Sequence, residues 1–280
     1  MTTVDVEPKP LKKVFAKHLG REVTFGRRRP TGAQVAKVPK LKKYCIIDQL
    51  EAPPTSVDYS LDAMASLSAV MLNNRLGDCT CAGACHCQGI FTGNAGDVVV
   101  ASDAEVLAMY EACGGYNPAD PSTDRGCDEI TVLDYLMQTG FPDGTHLAGY
   151  LAIDPTDQAQ VQQAIYLFET AYFGVGLPDT WINPFPAASG FTWDVGTPDD
   201  ENGHCFIATG YTPDGVQIDT WGLLGTVTWA AMAEVIGADG QLYALLSPDM
   251  LAKATQKAPT GLDWTTLQAD FSALGGRGGV

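Results

Sequence analysis

The sequence predicts an α+β fold in which helices come first along the chain and strands follow. Segments between positions 79 and 169 carry the capping and glycine signals of helices. Beyond position 170, apolar runs rich in β-branched and aromatic residues are typical of strands. The chain has 280 residues, enough for one large domain with two lobes. Helices followed by strands indicate a helical lobe packed against an antiparallel sheet.

Four helices are predicted in the first lobe. Asp78 can cap a helix that begins at Cys79, because an aspartate side chain accepts a hydrogen bond from the free amides of a first turn. Ser102 and Glu105 form a capping box that opens the second helix. The remaining two predicted helices span 128–138 and 154–169.

The second lobe is predicted to be mainly β-sheet. A helix is expected to interrupt the strands at 226–236, and a last helix is expected at 262–274. The predicted strands span 171–177, 203–211, 216–221 and 241–246. The predicted organisation is therefore an arm at 1–52 and a domain at 53–280, with a helical lobe at about 60–170, a β lobe at about 171–250, and a C-terminal helix and tail at 251–280.

Charge is divided unevenly along the chain. Residues 1–43 contain twelve Lys and Arg against three acidic residues, whereas the whole chain has a formal net charge of −16. Residues 1–52 also contain scattered prolines and no sustained apolar period, which predicts an extended basic arm without a core of its own. Composition alone favours a solvated tail. As a functional segment, the arm would dock on a partner protein, on another copy of the chain or, less favourably, on nucleic acid.

Composition argues against a membrane or secreted protein. No stretch approaches the roughly 18–20 apolar residues that a membrane-spanning helix needs, and residues 1–10 are too polar for a secretory signal. We therefore expect a protein that is kept in a cytoplasm and makes no membrane contact. The eight cysteines are then expected to be free thiols.

Cys79 is a candidate nucleophile because of its predicted position. A thiol in the first turn of a helix is exposed to the positive end of the helix dipole, which favours the reactive thiolate. A cysteine among small helical residues is also a common core residue, so this signal alone leaves both interpretations open.

A base and an orienting group are available further along the chain. His204 lies at the start of an apolar strand, and Asp219 lies near the end of the next predicted strand. Antiparallel pairing of these strands would bring the carboxylate beside the imidazole. A thiol, a base and an orienting group form the recurring arrangement of activated nucleophiles.

Four motifs follow one another along residues 53–250: Pro54 with Val57-Asp58-Tyr59, Asn73 with Gly77-Asp78-Cys79, Gly203-His204, and Asp219-Thr220-Trp221-Gly222. In order and spacing they resemble the papain family of cysteine peptidases. A closer resemblance is to papain-like proteins associated with tailed bacteriophages and prophages. It is carried by the Gly-Asp-Cys-Thr-Cys-Ala run and by Thr220-Trp221-Gly222 with Thr228-Trp229.

The resemblance implies a papain-like two-lobe fold and assigns roles to four residues. Cys79 would attack a carbonyl, His204 would shuttle the proton and Asp219 would orient the imidazole. The backbone N–H of Cys79 and the side chain of Asn73 would form an oxyanion hole. Asn73 is shorter than the glutamine of that family, and Asp219 is acidic where that family has asparagine.

No cofactor or metal is expected. Cys79, Cys81, Cys85 and Cys87 surround His86, but their spacing differs from that of zinc sites and they would point around most of a helix. The acidic residues at 194–201 lack the form of an EF-hand loop, so a solvated loop is favoured over a calcium site.

Two functions of different classes follow. The first is a structural component of a bacteriophage particle, located in the virion after assembly in the bacterial cytoplasm and docked on capsid or tail proteins through its terminal segments. The second is an active cysteine peptidase or amide hydrolase that uses Cys79, His204 and Asp219. The split charge and the phage-like motifs favour the first, and retention of the thiol and imidazole favours the second.

Overall fold

A computed structural model describes residues 10–44 and 52–247, together with Thr266. Ten strands are assigned in these residues: β1 (Lys13–Ala16), β2 (Arg21–Thr24), β3 (Val57–Asp58), β4 (Gly149–Ala152), β5 (Tyr172–Gly176), β6 (Phe191–Trp193), β7 (Gly203–Thr212), β8 (Gly215–Thr220), β9 (Leu223–Thr228) and β10 (Gln241–Leu246). The α-helices of the same residues are α1 (Gly32–Val35), α2 (Met64–Leu67), α3 (Cys79–Ala95), α4 (Asp103–Gly114), α5 (Glu129–Gln138), α6 (Gln158–Phe168), α7 (Asp179–Ile182), α8 (Trp229–Ala231) and α9 (Gly237–Asp239). A π-helix at Met232–Ile236 joins α8 to α9.

One large sheet forms the β lobe, and β7 is its longest strand. The strand order is β4-β10-β5-β7-β8-β9-β6, and β3 pairs with the far end of β7. Neighbouring strands are antiparallel except for β6 and β9, which are parallel. A hairpin of β7 and β8 carries both His204 and Asp219.

Helix α3 joins the helical lobe to this sheet. It is buried over almost its whole length, and its small residues allow close approach to β5 and β7. A Cβ atom at Gly83 would lie 3.2 Å from the ring of Tyr172 and 3.3 Å from the sulfur of Cys205. The hydroxyl of Tyr172 donates a 2.6 Å hydrogen bond to the backbone oxygen of Thr80. These contacts fix the first turn of α3, where Cys79 lies, against the sheet.

Residues 10–44 pack onto the domain, which differs from the extended arm expected from sequence. Strands β1 and β2 form a hairpin, and Val23, Phe25, Leu41 and Tyr44 are buried. The segment lacks a core of its own, as expected, but its apolar side chains join the core of the domain.

The α+β order is confirmed, and most predicted elements are present with small changes of bounds. The capping box of α4 forms with both of its hydrogen bonds, and α5 begins immediately after its capping residue Asp128. Two details were wrong. Asp78 does not cap α3 through its side chain, and the helix predicted at 226–236 begins only at Trp229, because β9 runs to Thr228. The helix predicted at 262–274 lies outside the described residues except for Thr266.

Among residues 10–44 and 52–247, no helix combines the length and the apolar character needed to cross a bilayer.

Candidate active site

The four residues predicted for the site line one small cavity between α3 and the β7–β8 hairpin. Its volume is about 10 Å³, which is the space of roughly one water molecule. Cys79, His204 and Asp219 in its wall are each only 1% exposed. Its lining consists of Val70, Asn73, Cys79, Ala82, Gly83, His86, His204, Cys205, Phe206, Asp219, Thr220 and Trp221.

Cys79 is in its neutral thiol form in this closed state. Only 1% of the residue is exposed, and burial raises the pKa of its thiol to about 12, with the neighbouring Asp78 carboxyl adding to the shift. Backbone groups of Gly26 and Cys205 face the sulfur and act in the opposite direction on its pKa. The position at the start of α3 agrees with the sequence prediction, and burial outweighs the helix dipole here.

His204 is held by Thr220 and Trp221. Its Nε2 atom is hydrogen-bonded to the hydroxyl of Thr220 at 2.7 Å, and its ring stacks on Trp221 with centroids 3.7 Å apart. Its Nδ1 atom has no hydrogen-bond partner among the described residues, and burial holds the pKa of the imidazole well below its usual range. His204 is therefore neutral, and the residue bonded to it is Thr220.

Asp219 faces the second imidazole of the cavity, that of His86. The closest approach joins Nε2 of His86 to one carboxyl oxygen of Asp219 at 3.9 Å. Neither carboxyl oxygen has a hydrogen-bond partner within the described residues. Burial raises the pKa of Asp219 well above its usual range and lowers the pKa of His86 to about 4. An orienting residue would need a hydrogen bond to Nε2 of His204, and in the structure Thr220 makes that bond. The orienting role predicted for Asp219 remains a proposal.

Asn73 contacts Asp78 through its side-chain amide. Its Nδ2 atom donates a 3.2 Å hydrogen bond to one oxygen of the buried Asp78 carboxyl. Burial raises the pKa of Asp78 well above its usual range, although this hydrogen bond works in the opposite direction. Asn73 thus lines the cavity, and its part in an oxyanion hole remains a proposal.

The cleft above the cavity is filled by residues 25–28, which we call the strap. The amide of Arg27 donates to the oxygen of Gly203 at 2.9 Å, directly before His204. On the opposite wall, the amide of Cys127 donates to the oxygen of Gly26 at 2.9 Å, and the amide of Arg28 donates to the oxygen of Cys127 at 2.9 Å. The strap is therefore bound as an extended peptide, by its main chain, between the two lobes.

The strap also contacts the residues of the cavity directly. The ring of Phe25 packs edge-on against His204, with centroids 6.2 Å apart, and against Trp221 at 5.8 Å. Gly26 lies so close to Gly77 that a Cβ atom there would collide with the Gly77 carbonyl. The strap therefore explains why Cys79 and His204 are closed off from solvent.

No metal-binding group of three or more suitable side chains occurs within residues 10–44 and 52–247. Every cysteine of these residues is free, and burial raises the pKa values of the Cys81, Cys85 and Cys87 thiols. In the acidic loop, Asp200 pairs with Arg29 at 2.9 Å.

Known structures with the same fold are cysteine proteases. Xylellain, a cysteine protease from Xylella fastidiosa, matches with a TM-score of 0.52 and 12% identity over 88% of this chain and 99% of that chain. The Amb a 11 cysteine protease, a ragweed pollen allergen solved in its proform, matches with a TM-score of 0.55 and 14% identity over 75% of this chain and 71% of that chain. Bromelain protease from Ananas comosus, solved with the E64 inhibitor, matches with a TM-score of 0.51 and 12% identity over 69% of this chain and 99% of that chain.

The chain has the papain-like α+β two-lobe fold. Identities this low show the fold alone, because one scaffold serves many tasks. No protein-family model matches the sequence, and no curated protein matches it.

Sequence reasoning missed three parts of the papain-like site. The first is Thr220, which makes the hydrogen bond to His204 that was predicted for its neighbour Asp219. The orientation of side chains along β8 decides which of the two residues makes that bond. His86 lies seven residues after Cys79, a helical spacing that places both on one face of α3. The strap carries no pattern that predicts its place in the cleft.

Replacing Thr220 and replacing Asp219 should have opposite effects on stability. Thr220→Val leaves Nε2 of the buried His204 without its partner, so we expect a loss of about 1–3 kcal/mol in the free energy of unfolding. Thr220→Ser should retain most of the stability. Urea unfolding measures the stability of the Thr220→Val and Thr220→Ser proteins. The side-chain ¹⁵N shifts of His204 should change in Thr220→Val and stay unchanged in Asp219→Asn.

Asp219→Asn should stabilise the protein at neutral pH. Because the folded-state pKa of Asp219 is raised, its protonated form favours folding below about pH 4, and this advantage is lost as the pH rises and the unfolded chain ionises. Asparagine does not ionise, so the variant should gain relative to the natural protein from pH 4.5 to 7.5. A pH-independent difference would contradict this assignment.

Proposed function

We propose that the chain is a papain-like cysteine hydrolase that acts on extended polypeptide and is held closed by the strap. The observation that supports this proposal is the binding of residues 25–28 as an extended peptide beside Cys79 and His204. The two walls of the cleft bind backbone N–H and C=O groups, which every polypeptide carries, so the cleft can accept an extended polypeptide. The same bonds are available to a substrate once the strap leaves.

Opening the cleft would activate the thiol. Burial is the first cause of the raised pKa of Cys79 and of the lowered pKa of His204, so hydration should move both values toward each other. The dipole of α3 then favours the thiolate, and a neighbouring imidazolium stabilises it. The closed form is accordingly a latent form of the enzyme.

The chemistry proposed for the open form is acyl transfer. The sulfur of Cys79 attacks the substrate carbonyl, and His204 delivers a proton to the leaving amine. Water then hydrolyses the thioester with His204 as the base. The backbone N–H of Cys79 would stabilise the oxyanion, joined by Asn73 if its amide leaves Asp78.

Displacing the strap should make Cys79 reactive. In Gly26→Ala, the added methyl collides with the Gly77 backbone and pushes the strap out of the cleft. We expect iodoacetamide to alkylate Cys79 at least about tenfold faster than in the natural protein, because the thiolate fraction and the access both rise. Peptide mapping by mass spectrometry identifies the labelled cysteine, and hydrolysis of an unfolded protein substrate reports turnover.

The matched control is Gly32→Ala, which adds a methyl in the same N-terminal segment where no atom lies within 4 Å. Gly32→Ala should react like the natural protein, and Gly26→Ala with His204→Gln should lose the acceleration. Equal labelling of Cys79 and the other buried thiols in a folded Gly26→Ala protein would overturn the proposed function.

A role in a phage particle remains a second proposal, and the motif resemblance supports it. In the structure, part of the basic segment pairs within the chain, since Lys12 contacts Asp179 at 3.2 Å and Arg29 contacts Asp200 at 2.9 Å. These contacts favour a folded segment at residues 10–44 over a free docking arm. The particle role predicts that the full-length protein co-sediments with purified virions, bound to capsid or tail proteins, and its absence from intact particles would contradict that role.

A further inference from the structure

We propose that the pocket now filled by the Arg27 side chain is a substrate subsite for a guanidinium group, with Glu129 and Gln241 as its ligands. This inference rests on the proposed function, because it assumes that a substrate follows the path of the strap. It assigns a substrate class, namely polypeptides that present an arginine at this position of the cleft.

The pocket is built around the guanidinium of Arg27. The side chains of Arg27 and Glu129 are 1% and 0% exposed, and Nε of Arg27 donates to Oε1 of Glu129 at 2.7 Å. Nη2 of Arg27 donates to Oε1 of Gln241 on β10. The second carboxyl oxygen of Glu129 is buried and has no partner among the described residues. An unused acceptor therefore remains for a second N–H of a guanidinium.

The walls of the pocket are supplied by both lobes. Glu129 is the first residue of α5, where the helix dipole favours a negative charge, and Gln241 is the first residue of β10. Gly174 on β5 completes the pocket, because a Cβ atom there would occupy the position of the Glu129 carboxyl. These three residues belong to the domain and stay in place when the strap leaves.

The pocket opens on the cleft through the main chain of Arg27. The amide of Arg27 is bound to Gly203, and the residues on either side of it are bound to Cys127. The side chain that fills the pocket in the structure belongs to a peptide held in this way. Recognition of the side chain is thus coupled to the main-chain bonds that place a peptide beside Cys79.

Charge decides which side chain the vacated pocket accepts. Removal of Arg27 would leave a buried carboxyl without its cation, which is strongly unfavourable in a fully desolvated site. Arginine fits better than lysine, because its planar fork reaches two acceptors at once and is more weakly hydrated. Neutral side chains of the same length would leave the Glu129 carboxylate without a counter-ion.

Chemical complementation of full-length Arg27→Ala tests the pocket without any need for turnover. The probe is N-acetyl-argininamide, and the matched neutral probe is N-acetyl-citrullinamide, which has the same shape without the charge. We expect the arginine probe to raise the melting temperature of Arg27→Ala saturably at millimolar concentration, since binding to the native state alone stabilises it. The citrulline probe should produce no saturable rise.

Two controls make the result specific. The natural protein should not respond, because Arg27 already fills the pocket, and Arg27→Ala with Glu129→Gln should lose the response. An equal response to both probes, or a response that survives Glu129→Gln, would overturn the subsite. If Arg27→Ala does not fold by itself, recovery of folded protein with the arginine probe supports the pocket. If the probe does not restore folding, titration of both probes against Gly26→Ala decides between the pocket and its absence.

Activity separates this inference from the proposed function. Specific binding of the arginine probe without hydrolysis by Gly26→Ala would retain the pocket and remove the peptidase. Hydrolysis with equal kcat/KM for arginine and citrulline peptides would retain the peptidase and remove the subsite. Both proposals together predict at least a tenfold preference for arginine peptides.

Discussion

The electrostatics of the candidate site depend on the strap, which closes the groove between the lobes. Its main chain is bound to Gly203 on one wall and to Cys127 on the other, and Phe25 covers His204 and Trp221. Burial of the two side chains is the first cause of the raised pKa of Cys79 and the lowered pKa of His204. The protein in this state therefore holds a neutral thiol and a neutral imidazole.

Beneath the strap, the two imidazoles of the site have different neighbours. His204 is bonded to Thr220, whereas Asp219 faces His86 from the next position of the same strand. Asp219 and Thr220 both line the cavity, and each meets a different imidazole. The hydroxyl of Thr220, an uncharged group, therefore holds the His204 ring, and the Asp219 carboxyl lies beside the other imidazole.

The sequence was sufficient for the α+β order, because capping signals and strand patterns are local. The motif resemblance to the papain family predicted that Cys79, His204, Asp219 and Asn73 belong to one site, and they line one cavity. It was insufficient for the partners of these residues. Positions 219 and 220 are adjacent and both polar, so the sequence does not show which of them meets His204. The position of the strap depends on contacts between residues about a hundred positions apart, as with Arg27 and Glu129. Long-range pairing of this kind leaves no periodic signal in residues 10–44.

Hydrogen exchange at the backbone amides of Arg27, Arg28 and Cys127 tests the closed cleft most directly. Each of these amides donates a hydrogen bond between the strap and a wall of the cleft. If the strap is part of the native fold, these amides should exchange slowly, with opening free energies approaching those of the β7 core amides. Exchange at the rate of an unstructured peptide, while β7 stays protected, would contradict the account.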